Sequence, residues 1–169
     1  HELIVRAGAR ERGNGMAVQV AETAPRPAAP AAGSMPAPTS SPLRFTAPLP
    51  SQRVLVVLPT YNEIENVDEV LRRTRRALPD ATVLVVDDGS PDGTAERAEA
   101  LDRTLGGIEV VRRAAKLGLG SAYRAGFRQG LARGYDVMIE MDADMSHDPA
   151  VLPDLLRAVD DGADLVLSL

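Results

Sequence analysis

From residue 53 onward, short apolar runs alternate with segments whose apolar residues recur every three or four positions. The runs are rich in Val, Leu and Ile and predict buried strands over 53–58, 81–86, 108–112, 135–141 and 163–169. The segments between them predict amphipathic helices. The first predicted helix has one mostly apolar face, formed by Val67, Val70, Leu71, Thr74 and Leu78. Because strands and helices alternate, we predict an α/β fold with a mostly parallel sheet and helices on both faces.

The first fifty residues lack this periodicity. Residues 1–50 hold eight of the thirteen prolines, and Ala, Pro and Ser dominate their composition. Such a segment cannot bury enough apolar surface to offset the entropy of ordering its backbone. We therefore predict a disordered Ala/Pro-rich segment over 1–50 and a partial folded domain over 51–169.

Capping residues set the expected helix starts. Asn62 precedes Glu65 by three positions, which is the spacing of a capping box. Ser90, which precedes a proline, is expected to cap the second helix, and Asp148, which also precedes a proline, the last helix.

Polar residues cluster directly after the predicted strands. Acidic residues lie in the segments 59–63, 87–94 and 142–149, which follow the first, second and fourth strands. The third strand is followed by the Gly-rich segment 112–123. Since ligands of parallel α/β sheets bind at the carboxyl ends of the strands, we expect these four segments to surround the functional site.

Asp142 and Asp144 are spaced so that both side chains leave the strand end in the same direction. Mg²⁺ is commonly held by one or two carboxylates together with substrate phosphates. A helix cap or a turn is the alternative role, and we assign it to Asp148. Because a cap needs only one acid, we predict that Asp142 and Asp144 bind Mg²⁺ or Mn²⁺ bridging a nucleotide diphosphate.

Two other motifs overlap these segments. The spacing of a calcium-binding EF-hand loop is matched by Asp88, Ser90, Asp92, Gly93 and Glu99, but a Val-rich strand precedes them where that motif needs a helix. The acid pair at 87–88 resembles the pair that opens a phospho-acceptor receiver domain, although a complete strand and helix precede it here. The receiver domain stays open as the alternative from another functional class.

Some polar and aromatic positions receive a structural interpretation. Lys116 is interpreted as a surface lysine, although it could meet a phosphate, and His147 as a partly exposed loop residue. Tyr123 and Phe127 fall on one helix face and are assigned to the core. The glycines of 118–120 lack the spacing of a dinucleotide-binding loop and are expected to permit a turn and close packing.

Composition narrows the functional class. The chain has 169 residues, no Cys and a net charge of −5. The absence of Cys excludes a thiolate metal site and fits a reducing, cytoplasmic compartment, and the acidic charge argues against a nucleic-acid partner. No apolar run reaches the roughly 20 residues of a membrane-spanning helix. We therefore expect peripheral membrane contact or a membrane-anchored partner.

The four strand-end segments together resemble a known family. The motifs LPTYNEIENV, VVDDGSPDGT, KLGLGSAYRAG and MDADMSHDP occur in this order. They are similar to motifs of family 2 glycosyltransferases with the A-type fold, which is Rossmann-like, and more narrowly resemble those of dolichyl-phosphate (polyprenyl-phosphate) mannose synthases. The resemblance covers about residues 53–167. It implies transfer of mannose from GDP-mannose to a polyprenyl or dolichyl monophosphate at the cytoplasmic face of a membrane.

The resemblance also implies roles for individual residues. Asp144 would be the catalytic residue that binds the divalent metal, with Asp142 and Ser146 as further ligands. The residues implied to bind the donor are Pro59, Tyr61, Glu63, Val86, Asp88, Asp142, Ala143 and Asp144. The acceptor phosphate monoester has a second pKa of about 6, so it is already a nucleophile, and in-line attack would invert the anomeric carbon. A related transferase that uses UDP-glucose or a similar donor stays open as an alternative.

Members of this family are expected to continue from the fifth strand into a Gly-Ser-Arg segment whose Arg helps to hold phosphate. Here the apolar residues of that strand are followed by Ser168 and Leu169. We therefore expect a C-terminally truncated domain that holds the donor half of the site and is inactive alone.

Overall fold

The structure is a computed structural model that describes residues 3–6, 19–21, 52–146 and 148–168. Strands β1 to β7 span Leu3–Arg6, Gln19–Ala21, Val54–Thr60, Thr82–Asp87, Ile108–Arg112, Val137–Glu140 and Leu165–Ser168. Helices α1 to α4 span Val67–Ala77, Thr94–Leu105, Leu119–Ala132 and Leu152–Asp160, and a 3₁₀ turn over Pro149–Val151 leads into α4. Among these described residues, no helix combines the length and the apolar content needed to cross a membrane.

The described strands form one seven-stranded sheet in the order β2-β7-β1-β6-β3-β4-β5. β3 pairs in parallel with β4 on one side and with β6 on the other, and β4 pairs in parallel with β5. β1 lies antiparallel between β6 and β7. The sheet is mostly parallel, as the sequence predicts, and the carboxyl ends of β3, β4 and β6 meet at one edge.

Both faces of the sheet are covered by helices. On one face, Val56, Val83 and Ile139 belong to an apolar cluster with side chains of α1, α2 and α4. On the other face, Leu55 and Val57 pack in a second cluster with side chains of α3. Because the central strands are buried on both sides, their sequences are near-continuous apolar runs rather than alternating ones.

The prediction of disorder over 1–50 is wrong for Leu3–Arg6 and Gln19–Ala21, which are strands of the sheet. Ile4 is fully buried, and Arg6 donates through Nη2 to the carbonyl oxygen of Val159 at 2.6 Å. This short strand pairs with β6 on one side and with β7 on the other, so both neighbours form hydrogen bonds with its backbone. Such long-range pairing leaves no periodic signal in the sequence. The rest of this segment lies outside the described residues, and its disorder stays a prediction.

Two helices begin later than their expected capping residues indicate. α1 begins at Val67 rather than after Asn62, and α2 begins at Thr94 rather than after Ser90. Instead, the backbone N–H of Asn62 donates to Oγ of Ser90 at 3.0 Å. The parallel strands bring these two loops together, so a contact between loops replaces the predicted local caps.

Two glycines let α3 approach the sheet closely. A Cβ added at Gly130 would lie 2.8 Å from Leu55 Cδ2 and 2.8 Å from Met138 Sδ, and one added at Gly126 would overlap the side chain of Val57. Both positions therefore require the absence of a side chain. This close packing fixes α3 against β3.

We expect Gly126→Ala to lower the free energy of unfolding by about 1–2 kcal/mol, because overpacking against Val57 outweighs the gain in helix propensity. Gly120→Ala is the matched control, since its added Cβ would meet the flexible end of Arg124 at 3.5 Å. The control should stabilise the chain by up to about 1 kcal/mol. Urea unfolding measures both changes, and stabilisation by both variants would contradict the close packing of α3.

Candidate functional site

The four predicted segments meet around a cavity of about 290 Å³. It is lined by Pro59, Thr60, Tyr61, Glu63, Asp88, Lys116, Gly118, Leu119, Ala122, Asp142, Ala143 and Asp144. The strand register explains this meeting. Thr60 at the end of β3 lies opposite Asp87 at the end of β4, and the N–H of Met141 after β6 donates to the carbonyl oxygen of Val57 at 3.2 Å.

Most of the residues implied to bind the donor line this cavity. Val86 does not: it is buried in the core cluster that also contains Ala122. Ser146 lies next to the cavity and donates its backbone N–H to Oδ1 of Asp144 at 2.9 Å. His147 lies outside the described residues. Val86 therefore supports the site from the core instead of lining it.

Asp87 and Asp88 are adjacent but have different surroundings. Asp87 is buried, and its Oδ2 accepts hydrogen bonds from Thr60 Oγ1 at 2.9 Å and from Ser90 Oγ at 2.5 Å. Its Oδ1 accepts from the backbone N–H groups of Gly89 at 3.1 Å and Ser90 at 2.9 Å. These hydrogen bonds satisfy the buried carboxylate and hold the loop after β4. Asp87 is therefore structural, and Asp88 is the acid that faces the cavity.

Asp88 holds the loop after β5 beside the cavity. It is 5% exposed, and its Oδ2 accepts hydrogen bonds from the N–H groups of Leu117 at 2.9 Å and Gly118 at 3.3 Å. Its Oδ1 lies 3.1 Å from Nη1 of Arg113, close enough for an ion pair. The two atoms are not aligned for a hydrogen bond, however, and neither has another hydrogen-bond partner among the described residues. Both atoms are buried, so the charge of Arg113 rather than a ligand or water balances Oδ1.

Tyr123 orients one of the two carboxylates after β6. Its hydroxyl donates to Oδ1 of Asp142 at 2.6 Å. Burial raises the pKa of Tyr123 far above its usual value, and Asp142, Glu140 and Asp144 raise it further. The pKa of Glu140 is also raised, by burial first and then by the charge of Asp142. The phenol therefore stays protonated as a donor, and negative charge accumulates at this end of the sheet.

Two residues of the site loops adopt a left-handed backbone conformation that favours glycine. Asn62 has φ 59° and Met145 has φ 62°. This conformation costs non-glycine residues roughly 1–2 kcal/mol and is found more often near functional sites. Asn62 separates Tyr61 from Glu63, and Met145 directly follows Asp144. The strain therefore lies in the turns that position residues of the cavity.

Lys116 supplies positive charge to the cavity wall. Its Nζ lies 4.1 Å from the ring centroid of Tyr61, at cation–π distance. The acidic residues of the same wall are Glu63, Asp88, Asp142 and Asp144. Lys116 is exposed, as the sequence interpretation has it, and the loop held by Asp88 also turns its side chain over Tyr61 in the cavity wall.

Asp142 and Asp144 suit a divalent cation that also binds substrate phosphates. Within the described part of the chain, no group of three or more Asp, Glu, His or Cys side chains could hold a metal ion. Two carboxylates, with Ser146 beside one of them, make an incomplete protein site. Mg²⁺ and Mn²⁺ favour carboxylate, phosphate and water oxygens. The residues present therefore fit a cation that binds together with a diphosphate.

The sequence interpretation missed the contacts of Tyr123, Lys116 and Arg113. Tyr123 was assigned to the core, where its ring does pack, but a buried tyrosine hydroxyl usually finds a polar partner. This rule could have predicted a polar partner for the Tyr123 hydroxyl, which the structure shows to be Asp142. Nothing in the pattern of segment 112–123 indicates which basic side chains turn toward the site.

We expect Asp88→Asn to lower the free energy of unfolding by about 3 kcal/mol, because the largely buried guanidinium of Arg113 would lose its counter-charge. Glu96→Gln is the matched control, since Glu96 pairs with Arg112 where both side chains are exposed. Its effect should be much smaller because water screens this pair. Urea unfolding compares the two variants. Similar decreases in the free energy of unfolding would show that the buried ion pair stabilises the fold no more than the exposed pair does.

The chain is similar to known proteins over most of the range in which its strands and helices alternate. The model of Glycosyl transferase family 2 matches residues 55–168. Polyprenol monophosphomannose synthase of Mycolicibacterium smegmatis is 53% identical over 123 residues, which cover 70% of this chain and 45% of that protein. Undecaprenyl-phosphate mannosyltransferase of Micrococcus luteus is 56% identical over 115 residues, which cover 68% and 47%. The chain thus spans less than half the length of these curated relatives.

Solved structures share the fold. The mannosyltransferase PcManGT from Pyrobaculum calidifontis, in complex with GDP-Man and Mn²⁺, has a TM-score of 0.56 and 25% identity, covering 70% of this chain and 36% of that one. TarS of S. aureus in complex with UDP has a TM-score of 0.56 and 23% identity, covering 65% and 32%. These neighbours have the A-type glycosyltransferase fold, which confirms the predicted fold class. With the family match and the identity to the curated relatives, they show that this chain belongs to glycosyl transferase family 2.

Proposed function

We propose that this chain is the nucleotide-sugar-binding part of a polyprenyl-phosphate mannosyltransferase. The reaction would transfer mannose from GDP-mannose to a polyprenyl or dolichyl monophosphate. The observation that carries the proposal is the single cavity in which Asp88, Lys116, Asp142 and Asp144 meet. The names of the two bacterial relatives support the acceptor, and the GDP-Man bound to the Pyrobaculum mannosyltransferase supports the donor.

The GDP-Man bound to the Pyrobaculum mannosyltransferase supports guanine as the base. Asp88 lines the cavity together with Tyr61 and Glu63 and would lie at the base or ribose. In this proposal Pro59, Tyr61 and Glu63 contact the nucleoside. Val86 supports the base from the core.

Asp142 and Asp144 would hold Mg²⁺ or Mn²⁺, with Ser146 as a weaker ligand, and Asp142 and Ala143 would lie against the ribose and diphosphate. When bound, the cation supplies positive charge that offsets the charge developing on the departing GDP. Tyr123 keeps the Asp142 carboxylate in one orientation through its 2.6 Å hydrogen bond. Lys116 adds a second positive charge to the cavity wall, where it can meet a phosphate oxygen.

The acceptor needs little help to react. A phosphate monoester is largely dianionic near neutral pH because its second pKa is about 6. Its oxygen would form a bond to the anomeric carbon of mannose while the bond from that carbon to the GDP oxygen breaks. In-line displacement inverts the anomeric centre and gives a β-mannosyl phosphate. The reaction would therefore require no strong general base, and the role of Asp144 would be to hold the cation.

The two alternatives to this proposal are a uridine donor and a receiver domain. Glucosyl-3-phosphoglycerate synthase of Mycobacterium tuberculosis, solved with Mn²⁺ and UDP, has 27% identity and a TM-score of 0.50 to this chain, so a uridine donor is the alternative within the family. The receiver-domain hypothesis does not account for the family match over 55–168. It also needs an acid available for phosphorylation, whereas Asp87 is buried and hydrogen-bonded throughout.

A thermal-shift experiment with GDP, UDP and ADP, each with and without Mn²⁺, tests the donor. We expect GDP with Mn²⁺ to give the largest rise in Tm, since a ligand at a hundred times its Kd stabilises by about 2.7 kcal/mol. GDP without metal should give a much smaller rise, because the acids would repel its diphosphate. An equal or larger rise with UDP and Mn²⁺ would overturn the choice of guanine.

Asp144→Asn tests the metal assignment. We expect it to remove the Mn²⁺-dependent part of the GDP shift. Asp148→Asn is the matched control from the same loop: Asp148 lies outside the cavity wall, and its Oδ1 caps the 3₁₀ turn, as predicted, by accepting from the N–H of Ala150 at 3.1 Å. Because Asn caps about as well as Asp, the control should leave stability nearly unchanged and keep the metal-dependent shift. Retention of that shift by Asp144→Asn would refute the assignment.

A further inference from the structure

The loop after β3 is held by side chains of the segment 90–94, which follows β4. Three successive backbone N–H groups of this loop each donate to a different side chain of that segment. The pairs are Asn62 with Oγ of Ser90 at 3.0 Å, Glu63 with Oγ1 of Thr94 at 2.9 Å and Ile64 with Oδ2 of Asp92 at 3.1 Å. We call these three hydrogen bonds the loop clamp.

The acceptors of the loop clamp are themselves fixed. Thr94 is fully buried, and its hydroxyl donates to Oδ1 of Asp92 at 2.6 Å. The backbone N–H of Thr94 donates to the same oxygen at 3.0 Å. The hydroxyl of Ser90 donates to Oδ2 of the buried Asp87 at 2.5 Å. Since both hydroxyl protons are used in these bonds, the hydroxyl oxygens are oriented as acceptors for the loop after β3.

The loop clamp holds two residues of the cavity wall. Tyr61 and Glu63 line the cavity, and Asn62 between them has a φ of 59°. A non-glycine residue keeps this strained conformation only when its surroundings stabilise it. Glu63 is also fixed from the other side, because its Oε2 accepts from Nδ2 of Asn66 at 2.9 Å and its carbonyl oxygen accepts from the N–H of Asn66 at 3.0 Å.

We propose that Thr94, together with Asp92 and Ser90, is a positioning residue for nucleotide binding. None of these three belongs to the described residues that line the cavity, so each acts through the loop that it holds. A loop that is already ordered loses less conformational entropy when a ligand binds, and this raises the affinity. The inference rests on the proposed function, because the ligand that meets Tyr61 and Glu63 is a nucleoside diphosphate bound with a divalent cation.

Amide hydrogen exchange of the chain without nucleotide or metal tests the loop clamp directly. Thr94→Val keeps the shape of the side chain but removes the oxygen that accepts from the N–H of Glu63. We expect the amide of Glu63 to exchange about tenfold faster in this variant. Thr94→Ser retains the hydroxyl, so it should keep the slow exchange of the parent.

Isothermal titration with GDP and with UDP, each in excess Mn²⁺, tests the role of the loop clamp in binding. At a temperature where every variant is folded, Thr94→Val should bind the preferred nucleotide about tenfold more weakly than the parent. Thr94→Ser should restore the affinity to within about twofold of the parent, because it restores the acceptor.

Thr82→Val is the matched control. The hydroxyl of Thr82 accepts a hydrogen bond from the phenol of Tyr135 at 2.9 Å. Thr82 begins β4, about 16 Å along the strand from Asp87 at its other end. The control should lower Tm through the lost hydrogen bond and should bind the nucleotide as the parent does.

Three outcomes would overturn the inference. They are unchanged exchange at Glu63 in Thr94→Val, equal nucleotide affinity of Thr94→Val and the parent, and an equal loss of affinity in Thr82→Val. A parent chain that binds neither GDP nor UDP with Mn²⁺ would refute the proposed function together with the role of the loop clamp in it. A parent that binds, beside a Thr94→Val variant that binds equally well, would refute the inference alone.

Discussion

The parallel pairing of β3 between β4 and β6 is the constraint on which the rest of the site depends. β3 is buried on both faces, and its hydrogen bonds fix the register of both neighbours. As a result the turn after Thr60, the acid pair at 87–88 and the acids at 142 and 144 arrive at one edge of the sheet. Each segment alone is a short polar loop, and only their meeting makes a cavity.

Concentrating acids at one edge has an electrostatic cost, and the structure offsets it in two ways. Asp87 and Asp88 are satisfied within the protein, by backbone N–H groups, by hydroxyls and by Arg113. Asp142 accepts a hydrogen bond from the hydroxyl of Tyr123, and its negative charge raises the pKa values of Tyr123 and Glu140. Asp87 and Asp88 therefore hold the loops at the sheet edge in place. Asp142 and Asp144 are suited to binding a cation that is not part of the protein.

The loop after β5 is held at the cavity by a residue that follows β4. Its backbone is bound by the carboxylate of Asp88, which is also proposed to recognise the base. Its side chains include Lys116 in the cavity wall and the exposed Leu117 and Leu119. This short segment therefore owes its place in the cavity wall to a carboxylate from the neighbouring strand end.

The sequence by itself determined the order and type of the elements over 53–168, because two-sided burial and helical amphipathicity leave local periodic patterns. It also located the acids at the strand ends. Only the tertiary structure decided which of them face a ligand. Asp87 and Asp88 are indistinguishable neighbours in sequence, yet one is enclosed by hydrogen bonds and the other faces the cavity. The same holds for Ser90 and Asn62, which contact each other instead of capping helices, and for Leu3–Arg6, which enters the sheet far from its own position in the chain. These outcomes depend on contacts between distant segments, and such contacts leave no local pattern to interpret.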